Sequence, residues 1–271
     1  MMDIPVTDPV PARYRGVWRR TLLAAPGLRD VATTVYWLQA SRWHADIRIP
    51  AGRPDFSGVG SLDACDRGRL AWLARQQGFA GVTQVDPADL AAQPEICCWH
   101  RVVDYRPPAS TPDAGCMMFA PERLVETGVH ADYLEHWEKV PRTDRGVAVL
   151  QAADHGAACR GATCRGPTRF LLIAGDVVMH VRSRAMLWPD GLAPDFDMAA
   201  LDDATLRQAL DFEISFGMRT GTGWRILHST LPWLEGQEID VRIAPPADGS
   251  VLLTWNGVQS AWHIHEWQPP P

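Results

Sequence analysis

Short runs of β-branched and aromatic residues, separated by turns rich in Pro, Gly and Asn, recur along this chain at intervals of roughly 10 to 15 residues. Such spacing suits antiparallel hairpins and is too tight for strand–helix–strand crossovers. Residues 31 to 38, 79 to 85, 96 to 105, 147 to 153, 212 to 219 and 251 to 255 all read as strands. Asn256-Gly257 joins the last of these to residues 258 to 267 and is the strongest short-range hairpin signal in the sequence. Residues 61 to 77 predict the clearest helix, with Ser61 or Asp63 as cap, an apolar stripe through Leu70, Leu73 and Ala74, and Gly78 as its stop. A shorter helix is expected over 202 to 210, capped by Asp202 or Asp203.

The expected fold is therefore mainly β: two antiparallel barrel halves with one or two short helices, over residues 1–140 and 141–271. A single large sandwich is the alternative. The division rests on a change of register near residue 140 and on a short internal match. Residues 169 to 184 repeat the organisation of residues 35 to 50, with His180 falling on Asp46 and Val181-Arg182 on Ile47-Arg48.

Composition narrows the function. With 26 Lys and Arg against 32 Asp and Glu the net charge is −6, which argues against nucleic acid and anionic membranes as partners. No apolar run approaches the roughly 20 residues that span a bilayer, and the N-terminus has no signal-peptide pattern, so the cytoplasm is the default compartment. The six cysteines form no disulfide framework, and Cys159 and Cys164 lack a second pair at zinc spacing. Cys97-Cys98 reads as wall packing. His263 and His265 have no third ligand in view, so no metal and no cofactor are expected. Nucleotide-binding loops, the serine-hydrolase elbow and the zincin motif are all missing. Twelve Trp against four Tyr suit barrel walls and ligand pockets, as well as ordinary core packing.

Gly16-x-Trp18, Trp37-Leu-Gln39, the Glu126-Thr-Gly128 connector and up-and-down hairpins with one early helix together resemble the calycins, the lipocalin-like β-barrels. In that family the early Trp closes the barrel floor. The two-part layout resembles the fungal two-barrel lipocalin-like proteins known mainly as binding partners of a casein kinase. The resemblance implies a small-molecule cavity in at least one barrel and carries over no catalytic residue.

The candidate site centres on residues 43 to 49, where Trp43, Ala45, Ile47 and Ile49 alternate with His44, Asp46 and Arg48. If the polar face points inward, Arg48 can anchor a carboxylate or phosphate, with Asp46 orienting His44 or Arg48. The plainer expectation is that this face is outer and solvated, with the apolar face filling the core. His180, Arg182 and Arg184 repeat the spacing in the second half. In residues 96 to 105, alternation places His100 and Asp104 on one face and Arg101 and Tyr105 on the other. Glu126 either enters a cavity mouth or caps the next segment. Three functions remain open. The first is a binder of a partly apolar ligand with a polar or anionic end, walled by Trp37, Trp43 and Trp99, with Arg48, Arg101, Glu126, His180 and Arg182 as polar contacts. The second is an enzyme using His44 or His100 as base and Asp46 or Asp104 as orienter. The third is a protein-interaction module. The oligomeric state is not legible.

Overall fold

The computed structural model describes residues 7–86, 95–153, 167–189, 191–221, 223–244, 246 and 248–268. The expected turn after residue 86, most of the loop expected over 154–167, and Cys159 and Cys164 lie outside the described residues.

Every described strand pair is antiparallel. The first sheet contains β1 (Gly16–Ala25), β2 (Leu28–Asp30), β3 (Thr34–Gln39), β4 (Trp43–Ile49), β5 (Gln77–Asp86), β6 (Ile96–Asp104), β7 (Asp113–Ala120), β8 (Arg123–Gly128) and β9 (Leu134–Lys139). β9 returns to β1, from Trp18↔Lys139 to Ala24↔Leu134. That pairing closes β1 and β3 through β9 into a barrel, with β2 as a hairpin extension of β1. The second sheet contains β10 (Val147–Ala152), β11 (Arg169–Ala174), β12 (Val177–Arg182), β13 (Glu213–Thr220), β14 (Gly223–Ser229), β15 (Glu238–Ile239), β16 (Val241–Ile243), β17 (Ser250–Trp255) and β18 (Val258–Gln268). β18 comes back to β10, while β15 and β16 stand at the two edges, joined through Asp240. This barrel is nearly closed. Asn256 (φ 48°) and Gly257 (φ 83°) both take the left-handed backbone of a tight hairpin between β17 and β18.

Side chains alternate across each strand, and the pairing registers show which faces meet. Val35, Trp37 and Gln39 of β3 sit opposite Arg48, Asp46 and His44 of β4. Val35 and Trp37 belong to an apolar cluster with Trp18, Phe79, Trp99, Leu124 and Trp137 that fills part of the first barrel's interior. Trp18 is buried there and donates from Nε1 to the Tyr14 carbonyl at 2.7 Å. A second cluster, with Leu150, Leu171, Val178, Trp224, Leu253 and Trp262, lies inside the second barrel. The largest cluster is between the two. Trp43, Ala45, Ile47 and Ile49 of β4 meet Phe170, Leu172, Val177, Met179, Val181, Ile214 and Phe216 of the second sheet. Tyr36 stacks on Phe216 at 4.1 Å between ring centres. Each fully buried side chain of this size contributes about 1.5–3 kcal/mol, which makes this interface a third core.

The two helices seal one side of that interface. α1 (Arg67–Leu73) is shorter than the sequence predicts, because Asp66, not Ser61 or Asp63, caps it by accepting from the Arg69 N–H at 2.8 Å. α2 (Asp203–Leu210) starts at Asp202, which accepts from the N–H groups of Ala204 and Thr205. Arg67 pairs with Asp203 across the helix pair at 2.8 Å. In each half, three sequential barrel strands precede a helix and a fourth strand follows: β1, β3, β4, α1, β5 and β10, β11, β12, α2, β13. Arg48 faces Gln77 as Arg182 faces Glu213. The short sequence match of Asp46 with His180 and Arg48 with Arg182 therefore falls on topologically equivalent strands.

Two of the charged side chains that cross from barrel to barrel are buried. Glu266 on β18 accepts from the N–H groups of Ser41 (2.7 Å), Arg42 (2.6 Å) and Trp43 (3.0 Å) and from Ser41 Oγ (2.6 Å). Arg184 donates to the carbonyls of Asp104, Tyr105 and Ala209. Burial lowers its guanidinium to a pKa of about 10.

Candidate functional site

The polar face of β4 points into the first barrel, contrary to the expectation that it is solvated. The alternation was correctly periodic but had two burial environments, not one. The apolar face is the outer face of the barrel and is buried by the second barrel. Asp46 and Arg48 line a cavity of about 350 Å³. Its apolar walls are Trp37, Phe79, Trp99 and Trp137, with Leu23 and Ala25 above them, and the exposed residues Ala131 and Asp132 stand at its mouth. Trp37 meets Trp99 and Trp137 edge to face at 5.7 and 5.9 Å.

Charge in this cavity is organised in pairs. Arg48 donates to both oxygens of Asp46, at 2.8 and 3.4 Å, and lies 3.9 Å from Glu135. Burial opposes its charge, but Asp46 and Glu135 outweigh that and hold its pKa well above the ordinary value. Arg20 reaches Glu135 from outside the cavity lining at 2.6 Å and Asp30 at 2.8 Å. Arg101 bridges Asp104 (2.8 Å) and Asp113 (2.5 Å), with its guanidinium 3.7 Å from the Phe79 ring centre. Glu126 is different. It is 4% exposed, has no cationic partner within ion-pair distance among the described residues, and accepts from the Tyr133 hydroxyl at 2.7 Å. Burial, then the neighbouring Glu135 carboxylate, push its pKa up to about 8. At neutral pH it holds a proton.

His44 lies deeper along β4 and is fully buried, outside the cavity lining. Gln39 uses its amide nitrogen on the carbonyls of Ala40 and Trp43, so its oxygen accepts from Thr83 Oγ1 at 2.7 Å. Thr83 must then accept from His44 Nδ1, 3.0 Å away. The imidazole is the Nδ1–H tautomer, with a buried Nε2 that has no partner among the described residues. Burial, with Arg101 and His100 nearby, drives its pKa well below the usual value.

The expected site residues divide accordingly. Trp37, Asp46, Arg48, Trp99, Arg101 and Glu126 converge on the cavity. Trp43 does not: it sits on the outer face, against Phe170 and His265. His100 also faces outward, 3.2 Å from Gln84 Oε1. His180 and Arg182 belong to the second barrel, where His180 meets Glu213 at 2.8 Å and Arg182 meets Asp211 at 2.8 Å. Glu126 lies within β8, not in a connector.

Asp104 was expected on the face of His100 but shares the face of Arg101. Ala80 pairs with Val103 and Gly81 with Arg101, so Val102 is an extra residue that reverses the alternation. Gly81 makes this possible, since a Cβ there would lie 1.9 Å from the His100 carbonyl oxygen. Phe79, Asp113, Tyr133, Glu135 and Trp137 also line the cavity, although sequence reasoning did not select them. The alternation of Tyr133, Glu135 and Trp137 was available as a signal in the sequence. Cys97 is buried in the interior cluster of the first barrel, in keeping with a packing role.

No family model matches the chain, and no curated protein matches it. Among solved structures, the chain is similar to the crystal structure of an uncharacterized protein from Saccharomyces cerevisiae. The two share 10% identity at a TM-score of 0.54, over 93% of this chain and 98% of that one. At that identity the likeness concerns the fold. No described helix is long and apolar enough to cross a membrane.

Proposed function

We propose that the protein is a lipocalin-like binder whose first barrel holds a small, partly apolar molecule by a polar end. The observation that carries this reading is the cavity of about 350 Å³ walled by Trp37, Phe79, Trp99 and Trp137 around a few placed polar groups, the usual make-up of a small-molecule site. In this reading residues 1–140 form the ligand-holding half and residues 141–271 the half that braces β4. The ligand's polar end meets Glu126 and Tyr133, not a free guanidinium. Arg48 and Arg101, the groups expected to anchor an anion, are already neutralised by Asp46, Asp104 and Asp113. Screening small amphipathic molecules by tryptophan fluorescence tests the proposal. A hit should lose at least tenfold in affinity when Ala25→Phe fills the cavity. Equal binding by that variant refutes it.

A second reading is an enzyme on the same cavity. The observation favouring it is a pair of buried carboxyl groups, Glu126 and Glu135, on one cavity wall, with the pKa of Glu126 raised by burial. The bases expected from sequence, His44 and His100, lie outside the cavity lining. Turnover of a bound molecule, lost in Glu126→Gln with binding retained, would select this reading.

A further inference from the structure

Resting on the binding reading above, we infer that the molecule held in the first barrel is an organic cation, a compact alkyl- or arylalkylammonium seated among Trp37, Trp99 and Trp137 with its nitrogen at Glu126. The first argument is the charge of the wall. Asp46, Asp113, Glu126, Asp132 and Glu135 line the cavity against Arg48 and Arg101, and both guanidiniums are engaged by carboxylates at 2.5–2.8 Å. An entering anion finds no free positive charge, while an entering cation finds Glu126 without a cationic partner among the described residues.

Second, Glu135 lines the cavity and is 3% exposed, and its buried Oε2 has no hydrogen-bond partner among the described residues although Oε1 is held by Arg20. A buried carboxylate oxygen without a donor is costly, and an ammonium supplies up to three donors. The third argument is the aromatic wall. Three indoles and a phenyl ring present the kind of surface that attracts alkylammonium groups through cation–π contact, most strongly when desolvated. The protein already uses this surface, with the guanidiniums of Arg101 and Arg48 over Phe79 at 3.7 and 5.6 Å. The indole N–H groups of Trp37 and Trp137, beside the cavity, also lack partners among the described residues.

The site couples binding to proton release. Glu126 is faced by Tyr133 from the segment before β9, by Glu135 from β9, by Arg48 from β4, by Asp113 from β7 and by the Cys97 thiol from β6. In the empty barrel its carboxyl is protonated at pH 7. The cation pairs with the carboxylate, so the proton on Glu126 leaves to solvent as the ammonium enters. Affinity should rise from pH 6 to 8 and then level, since an alkylammonium keeps its own proton to about pH 10, as lysine does.

The test is isothermal titration of the full chain with 2-phenylethylammonium, 2-phenylethanol and 3-phenylpropionate, three probes of similar shape and different charge. The inference expects the ammonium to bind at least tenfold more tightly than either other probe. It also expects release of close to one proton at pH 7, read from buffers of different ionisation enthalpy. Glu126→Gln, which keeps an acceptor for Tyr133 and folds with an undiminished melting temperature, should lose the proton release and at least tenfold of the ammonium affinity. Tighter binding of the alcohol or the carboxylate overturns the cation and leaves the binding reading standing. Ammonium binding without proton release, and unchanged in Glu126→Gln, overturns the seat at Glu126. Failure of all three probes to bind overturns both.

Discussion

Replacing Glu126 with Gln should stabilise the empty protein at neutral pH and flatten its stability profile. In the unfolded chain the carboxyl ionises near pH 4.5, and in the fold near pH 8, because burial and Glu135 disfavour its charge. The folded state therefore holds more protons than the unfolded state between those values. For a raised carboxyl, stability is greatest below pH 4.5 and falls as pH rises toward 8, by about 1.4 kcal/mol per unit. At pH 7 the accumulated loss is about 3 kcal/mol. Gln carries no charge at any pH and still accepts from Tyr133, so the variant escapes this loss. For a domain of this size the gain corresponds to a melting temperature higher by about 6–12 °C at pH 7, and by little near pH 4.5. Thermal melts of both proteins from pH 4.5 to 8.5 check it. Parallel curves across that range would show that Glu126 ionises normally, and the reasoning about an unpaired buried carboxylate would fail.

Other outcomes follow from the same structure. Glu266→Ala removes the acceptor for three backbone N–H groups and one hydroxyl that join the barrels. A loss of about 3 kcal/mol is expected, since the buried Trp43 N–H loses a charged partner while water can reach the others; a urea midpoint within experimental error of the parent would refute the clamp. Gly81→Ala places a methyl 1.9 Å from the His100 oxygen, so the bulge in β6 cannot persist. The variant should lose both stability and the Arg101–Asp104 pairing, visible as a collapsed melting temperature. At pH 6, where an ordinary imidazole is mostly charged, His44 should remain the neutral Nδ1–H tautomer, because burial suppresses its charge; nitrogen NMR shifts of a protonated ring at that pH would contradict the assignment.

Much of the fold was readable because its signals are local. Asn256-Gly257 demands left-handed backbone and gives a hairpin. Asp202 offers a short carboxylate to the start of α2 and caps it. The alternation of β4 needed no partner to be seen. What the strand's sequence does not encode is which of its two faces is the inside. Ile47 and Asp46 are both buried, one by a second barrel that begins about 100 residues later in the chain. The reversed face of Asp104 was hidden for a related reason. The extra residue in β6 is a property of its pairing with β5, and the enabling Gly81 lies on the other strand. Trp43 was misplaced because an aromatic residue looks the same whether it walls a cavity or an interface. Glu135 gains its importance only when β9 closes on β1 beside Arg20 and near Arg48, a long-range event that no window of sequence contains.

β4 has no solvent face, and this gives it a mechanical role. Its even-numbered residues from His44 to Arg48 report to the inside of one barrel, and its odd-numbered residues from Trp43 to Ile49 press on the other. A shift of the β4 backbone that moves residues on one face also moves their peptide-bonded neighbours on the opposite face. The strand is a diaphragm between two compartments. In the binding reading, a ligand in the first barrel would touch Asp46 and Arg48, whose peptide-bonded neighbours Ala45, Ile47 and Ile49 belong to the core between the barrels.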